Sequence, residues 1–165
     1  MTASATKPIE RDSASPEETE ALGARLGAAA RGRELLGLVG ELGAGKTCLV
    51  RGLAAGLGVD PDEVASPTFV MVAEYRGGRL PLQHVDLYRL EGPRLEAADE
   101  DRLLLRETLQ GDGVAAVEWF DRLGSADGEE MLLVTLRYGD GDRRHLRFDA
   151  RGRRHVRWLT DALGA

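Results

Sequence analysis

The chain has 165 residues, of which 42% are hydrophobic and 30% charged, with a formal net charge of −6 and a pI near 5.2. That length suits one domain with a core of ordinary size. The acidic balance argues against a protein that grips nucleic acid by itself, which would show a basic surface. A lone cysteine, Cys48, excludes an intramolecular disulfide, and no apolar run approaches a membrane span. The N-terminus lacks a charged start followed by an apolar block. A cytoplasmic location is therefore expected by elimination.

Residues 1–14 are Ser, Thr and Ala with scattered charges and no periodicity, which predicts a disordered tail. Ser15-Pro16-Glu17-Glu18 then announces a helix: a serine cap, proline in the first turn and glutamate three residues after the cap. The helix is expected to reach about residue 30, with Leu22, Leu26 and Ala29 on one face. Leu35-Leu36-Gly37-Leu38-Val39 reads as a short buried strand.

The stretch after that strand is the most informative. Gly40-Glu41-Leu42-Gly43-Ala44-Gly45-Lys46-Thr47 fits the phosphate-loop pattern G-x-x-x-x-G-K-[ST] at every fixed position. A helical pattern from Cys48 to Leu57 follows, with Leu49, Leu53 and Leu57 at four-residue spacing and Gly58 as its stop. Strand, glycine loop and helix are the context the pattern needs. Glycines let backbone N–H groups turn toward phosphate oxygens. The helix start adds its dipole and its free N–H groups. Lys46 is placed to reach the β- and γ-phosphates, and the Thr47 hydroxyl to ligate Mg²⁺. The chain carries 22 Lys+Arg but only two lysines, Lys7 and Lys46. Lysine at 46 is thus a specific choice, because a compact ammonium fits a cradle that a planar guanidinium would not. There is no asparagine, so the Asn-Lys-x-Asp guanine reader is absent and ATP is favoured over GTP.

A loop is expected over 59–67, then a strand over 68–75, a turn at Arg76-Gly77-Gly78-Arg79, and a second strand over 80–86. Together they predict an antiparallel hairpin. Residues 87–109 read as mostly helical, with a break near Gly92-Pro93. Val114 to Glu118 reads as a buried strand, residues 131–138 and 145–149 as a second hairpin, and 154–163 as a closing helix. The sum is an α/β fold: a P-loop NTPase-like three-layer sandwich. Its central sheet is mixed and mainly parallel, includes antiparallel hairpins, and has helices on both faces. Residues 15–165 form a single P-loop domain in this reading.

In such sheets the ligand lies outside the carboxyl ends of the strands. Two acids sit there: Asp86 after the strand over 80–85, and Glu118 after Val114–Val117. One carboxylate suits a Mg²⁺ shell and a second could position the attacking water. Thr68, in Ser66-Pro67-Thr68-Phe69, occupies the place of a γ-phosphate sensor. His84 shares a strand face with Asp86; a packed histidine donating to a backbone group is expected, with a hydrogen bond near the site as the other possibility. Trp119 is read as a packing group, with base stacking as the other possibility.

These motifs, Gly-Glu-Leu-Gly-Ala-Gly-Lys-Thr, Ser-Pro-Thr-Phe, His-Val-Asp-Leu-Tyr-Arg-Leu and Val-Glu-Trp, in this order and spacing, resemble the bacterial TsaE (YjeE) family. The resemblance runs from about Ser15 to Trp119. It implies an ATPase of tRNA threonylcarbamoyladenosine biosynthesis that acts with TsaB and TsaD and meets tRNA only through that complex. It implies catalytic roles for Lys46, Asp86, Glu118 and Thr68. Nucleotide contacts fall on Gly40, Glu41, Leu42, Gly43, Ala44, Gly45, Lys46, Thr47 and Cys48, and Mg²⁺ on Thr47 and Glu118. A nucleotide contact from the C-terminal hairpin points to Arg144, with Arg143 and Arg147 as competitors. The chain departs from the family at Phe120, often proline, at Cys48, often threonine, and in its unusually charged stretch over 95–109. Two other readings are a P-loop small-molecule kinase, with Arg89, Arg94, Arg102 and Arg106 available for a lid, and an ATP-dependent binding module that barely hydrolyses.

Overall fold

The computed structural model describes residues 6–65, 72–88, 107–123 and 130–164. Thr68, the lid candidates Arg89, Arg94, Arg102 and Arg106, and most of the helix expected over 87–109 lie outside them.

Seven strands form one sheet: β1 (Ile9–Ser13), β2 (Leu35–Val39), β3 (Val72–Tyr75), β4 (Leu82–Asp86), β5 (Val114–Glu118), β6 (Met131–Tyr138) and β7 (Arg144–Arg151). Their spatial order is β1-β7-β6-β2-β5-β4-β3. The central neighbours β6, β2, β5 and β4 are parallel, and each edge is closed by antiparallel pairing. Both hairpins expected from sequence are present. The central strands read as unbroken apolar runs because both of their faces are covered.

Residues 9–13 correct the expectation of a disordered tail over 1–14. They form β1, paired antiparallel to β7 from Ile9↔Phe148 to Ser13↔Arg144. The segment Ile-Glu-Arg-Asp-Ser shows no apolar alternation, because an edge strand can be held by its ladder with one face wet. Its end is pinned by Ser13, whose buried hydroxyl lies 2.7 Å from that of Thr19.

Three long helices lie on one sheet face: α1 (Pro16–Ala29), α2 (Lys46–Leu57) and α3 (Arg153–Leu163). Ser15 caps α1 by accepting from the Glu18 N–H, and Glu18 accepts from the Ala14 N–H. Glycine decides how α1 meets α2. A Cβ at Gly23 would stand 2.2 Å from the Leu49 carbonyl oxygen, and one at Gly27 2.3 Å from that of Leu53. From the other helix, a Cβ at Gly52 would stand 2.0 Å from the Glu20 carbonyl oxygen, and one at Gly56 2.2 Å from that of Ala24. The two backbones touch at these four residues, and α2 carries the phosphate loop at its start. Trp158 of α3 is buried and donates to the Leu26 carbonyl, tying α3 to α1.

The main core lies between these helices and the sheet, around Leu26, Leu36, Leu38, Leu53, Leu132 and Phe148. A second apolar cluster, including Leu35, Val85, Val117 and Met131, covers the opposite face. Phe120 seats its ring on Gly37, where a Cβ would come within 2.9 Å.

Candidate functional site: a phosphate loop facing two strand-end carboxylates

The loop between β2 and α2 turns on glycine. Gly43 has φ 78° and Gly45 φ 106°, a region that side chains disfavour. Ala44 is buried and its N–H donates to the Glu41 carbonyl. The expected helix start at Cys48 moves back two residues, to Lys46, so the first helical N–H groups belong to the motif itself. Residues 41–43 are exposed at the rim.

Lys46 is buried, 4% exposed, and its Nζ donates to the carbonyls of Gly40 at 2.6 Å and Glu41 at 2.9 Å. The ammonium also lies 4.0 Å from the centroid of the Trp119 ring. Burial pushes its pKa below the usual lysine value, while Glu118, Asp86 and Asp121 oppose that shift by attraction. The buried ammonium is thus held by two carbonyls and an aromatic face, with its charge balanced by nearby carboxylates.

Thr47 donates its hydroxyl to Glu118, 2.9 Å from Oε1 and 3.1 Å from Oε2. Glu118 is 2% exposed. Asp86 stands beside it in register across the β4–β5 ladder, half-buried, and its Oδ1 accepts from the Tyr88 N–H at 2.8 Å. The two acids thus meet at the carboxyl edge of the parallel strands, next to the loop. His84 is packed as expected, but its partner is not a backbone group. Its Nε2 lies 2.5 Å from Glu118 Oε2, with both side chains buried. The register explains this, since His84, Asp86 and Glu118 project from one sheet face on adjacent strands.

Around the mouth, Trp119 holds φ 59°, unusual for a bulky residue and a cost of about 1–3 kcal/mol. That turn swings its ring over Lys46 and against Tyr88, with centroids 5.1 Å apart. Arg122 stacks on both rings. Tyr138 donates its hydroxyl to the Leu42 carbonyl, and Arg144, on the Tyr138 ring, reaches the Gly43 carbonyl at 3.5 Å. Among the three hairpin arginines, Arg144 is the one with a bond to the loop among the described contacts. Cys48 faces α1 instead, with its sulfur 3.2 Å from the Pro16 carbonyl oxygen, and burial raises its thiol pKa. Sequence reasoning passed over Tyr88, Arg122 and Tyr138. Aromatic residues at a strand end and a hairpin tip were the available signal.

Oxygen donors suit a hard cation such as Mg²⁺. Among the described residues no group of three or more His, Cys, Asp or Glu side chains is arranged to hold a metal ion. Thr47 and Glu118 present a hydroxyl and a carboxylate side by side, a donor pair that suits an ion completed by phosphate oxygens and water. No helix among the described residues is long and apolar enough to cross a membrane.

The family model described as "Threonylcarbamoyl adenosine biosynthesis protein TsaE" matches residues 13–146. The chain is 39% identical over 140 residues to the Bacillus subtilis "tRNA threonylcarbamoyladenosine biosynthesis protein TsaE", covering 85% of this chain and 84% of that protein. The protein of the same name from Treponema pallidum is 40% identical over 134 residues, covering 79% of this chain and 93% of its own. The Streptomyces coelicolor protein is 39% identical over 145 residues, covering 84% and 93%. The crystal structure of Bacillus subtilis YdiB superposes with a TM-score of 0.74 at 33% identity, covering 94% of both chains.

Proposed function

The chain belongs to the TsaE family, and from that membership we propose that it is the ATP-binding and ATP-hydrolysing subunit that supports threonylcarbamoyladenosine formation in tRNA. Its partners in this reading are TsaB and TsaD, and tRNA is reached only through their complex. The reading places it in the cytoplasm, with no membrane contact. The observation that carries the hydrolytic part is the Thr47–Glu118 bond beside Lys46 at the mouth of the phosphate loop.

The loop amides of residues 40–45 and the start of α2 bind the phosphates. Lys46 exchanges its bonds to Gly40 and Glu41 for β- and γ-phosphate oxygens, and its desolvated charge stabilises the negative charge that develops there. Thr47 and Glu118 would hold Mg²⁺, which neutralises phosphate charge when bound. Asp86, at the adjacent strand end, orients the attacking water. Trp119 must leave the Lys46 ammonium for the phosphates to enter, and its ring then shields the site from solvent. Arg144 supports the loop from the hairpin side. Thr68 senses the γ-phosphate in this scheme, a role argued from sequence alone. The antiparallel β3–β4 hairpin weighs against the kinase reading, since small-molecule kinases usually run from the loop helix into a parallel strand.

The test is phosphate release from Mg-ATP by the protein with TsaB and TsaD, for the wild type and for Lys46→Ala. Release by the wild type that falls to background in the variant is expected. Full release by Lys46→Ala refutes the mechanism, and transfer of phosphate to a metabolite instead of water would restore the kinase reading.

A further inference from the structure

His84 has no role in the scheme above, yet it is the most deeply buried polar residue at the site, with 0% exposure in the middle of β4. Its Nε2 lies 2.5 Å from Glu118 Oε2, and its Nδ1 is buried without a hydrogen-bond partner among the described residues. An ionised carboxylate accepts, and the ring meets it through Nε2–H. A buried ring nitrogen left without a partner is destabilising, and a leucine of similar size would avoid that cost. The side chain is thus poorly explained by packing alone, and its single bond goes to the carboxylate that also touches Thr47.

We propose that His84 is the positioning residue for Glu118: its Nε2–H grips Oε2 and holds the carboxylate turned toward the Thr47 hydroxyl. This rests on the phosphate-site reading. A glutamate side chain left to itself has rotamer freedom that must be given up to meet an ion. The bond from His84 removes much of that freedom in advance, through a donor that is itself immobilised in the sheet. Glu118 keeps Oε1, at 2.9 Å from Thr47, for the ion. Asp86 lies on the same face but makes its own bond to the Tyr88 N–H, so the two acids are steered independently.

Two measurements test this. The first is ¹⁵N NMR of the three histidines, His84, His145 and His155, in the wild type. His84 is expected as the Nε2–H tautomer with a slowly exchanging ring proton. His155 accepts from the Leu35 N–H through Nε2 and serves as the contrasting Nδ1–H case. An Nδ1–H tautomer at His84 overturns the proposal without any variant. The second is Mn²⁺ titration, followed by EPR, of the protein with ADP. Loss of an outer partner of a metal ligand typically lowers metal affinity by about 10–100-fold. His84→Leu is expected to show that loss while ADP affinity in EDTA stays within about threefold. His84→Gln keeps a donor and is expected to recover most of the Mn²⁺ affinity. In a Glu118→Gln background, His84→Leu is expected to add little. A wild type that fails to bind Mn²⁺ with ADP sinks the phosphate-site reading itself. A wild type that binds normally, with His84→Leu equal to it, overturns the positioning role alone.

Discussion

Replacing Gly52 by alanine tests how α2 is held. A Cβ at Gly52 would sit 2.0 Å from the Glu20 carbonyl oxygen, 2.7 Å from its carbon and 2.8 Å from its Cα. All three are backbone atoms, so no rotamer change relieves the clash. The helices must separate by about 1 Å to restore van der Waals distance. Overpacking of this kind costs about 1–3 kcal/mol. Alanine in a helix interior returns up to about 1 kcal/mol relative to glycine. The net loss is up to about 2 kcal/mol after the full helix-propensity return, which for a protein of this size lowers Tm by up to about 8 °C. The start of α2 carries Lys46 and Thr47, so a shift of that size also disturbs the Thr47–Glu118 bond. Displacements near 1 Å can cost about 100-fold in rate. Gly77, with nothing within 4 Å of its Cβ position, is the matched control, and Gly77→Ala should leave both quantities unchanged. Thermal unfolding and the rate of phosphate release from Mg-ATP with TsaB and TsaD, measured for the two variants, decide the matter. A Gly52→Ala protein as stable as Gly77→Ala would show that α1 and α2 are not in backbone contact there.

Of the two tryptophans, Trp119 covers the Lys46 ammonium and Trp158 is buried in α3. Adding ATP is expected to change tryptophan emission in the wild type and in Trp158→Phe, and to leave Trp119→Phe silent. An unchanged response in Trp119→Phe would mean that the ring does not move. Stability should also depend on pH through His155, whose pKa is lowered to about 4, first by burial and then by Arg154. Because the folded value lies below the unfolded value near 6.5, the unfolded chain binds the extra proton. The contribution is complete above pH 6.5 and is lost as pH falls toward 4, by up to about 3 kcal/mol. Urea unfolding across that window should be less pH-dependent in His155→Gln than in the wild type, and equal slopes would remove His155 as the cause.

Lys46, Thr47, Asp86 and Glu118 were legible in the sequence because each is bound to a local pattern. The loop motif carries the first two, and an acid directly after an apolar strand identifies the others. The apolar runs likewise announced β2 and β5, and the Ser15 cap announced α1. β1 was not legible, because its residues carry no apolar alternation and its partner, β7, lies more than a hundred residues away. The glycines of α1 and α2 were equally silent, since each is a weak helix former until another backbone is pressed against it.

The sequence by itself determined the chemistry on offer: a phosphate loop, an acidic pair and no guanine-reading asparagine motif. Tertiary structure decided which groups meet. Parallel register set Asp86 beside Glu118 and turned His84 onto the same carboxylate, while the antiparallel β6–β7 hairpin brought Arg144 to the loop. A positive φ at Trp119 laid its ring over Lys46. Local patterns depend on neighbours a few residues apart, whereas these contacts join strands and turns distant in the chain. Only strand order and backbone approach bring them within hydrogen-bond reach.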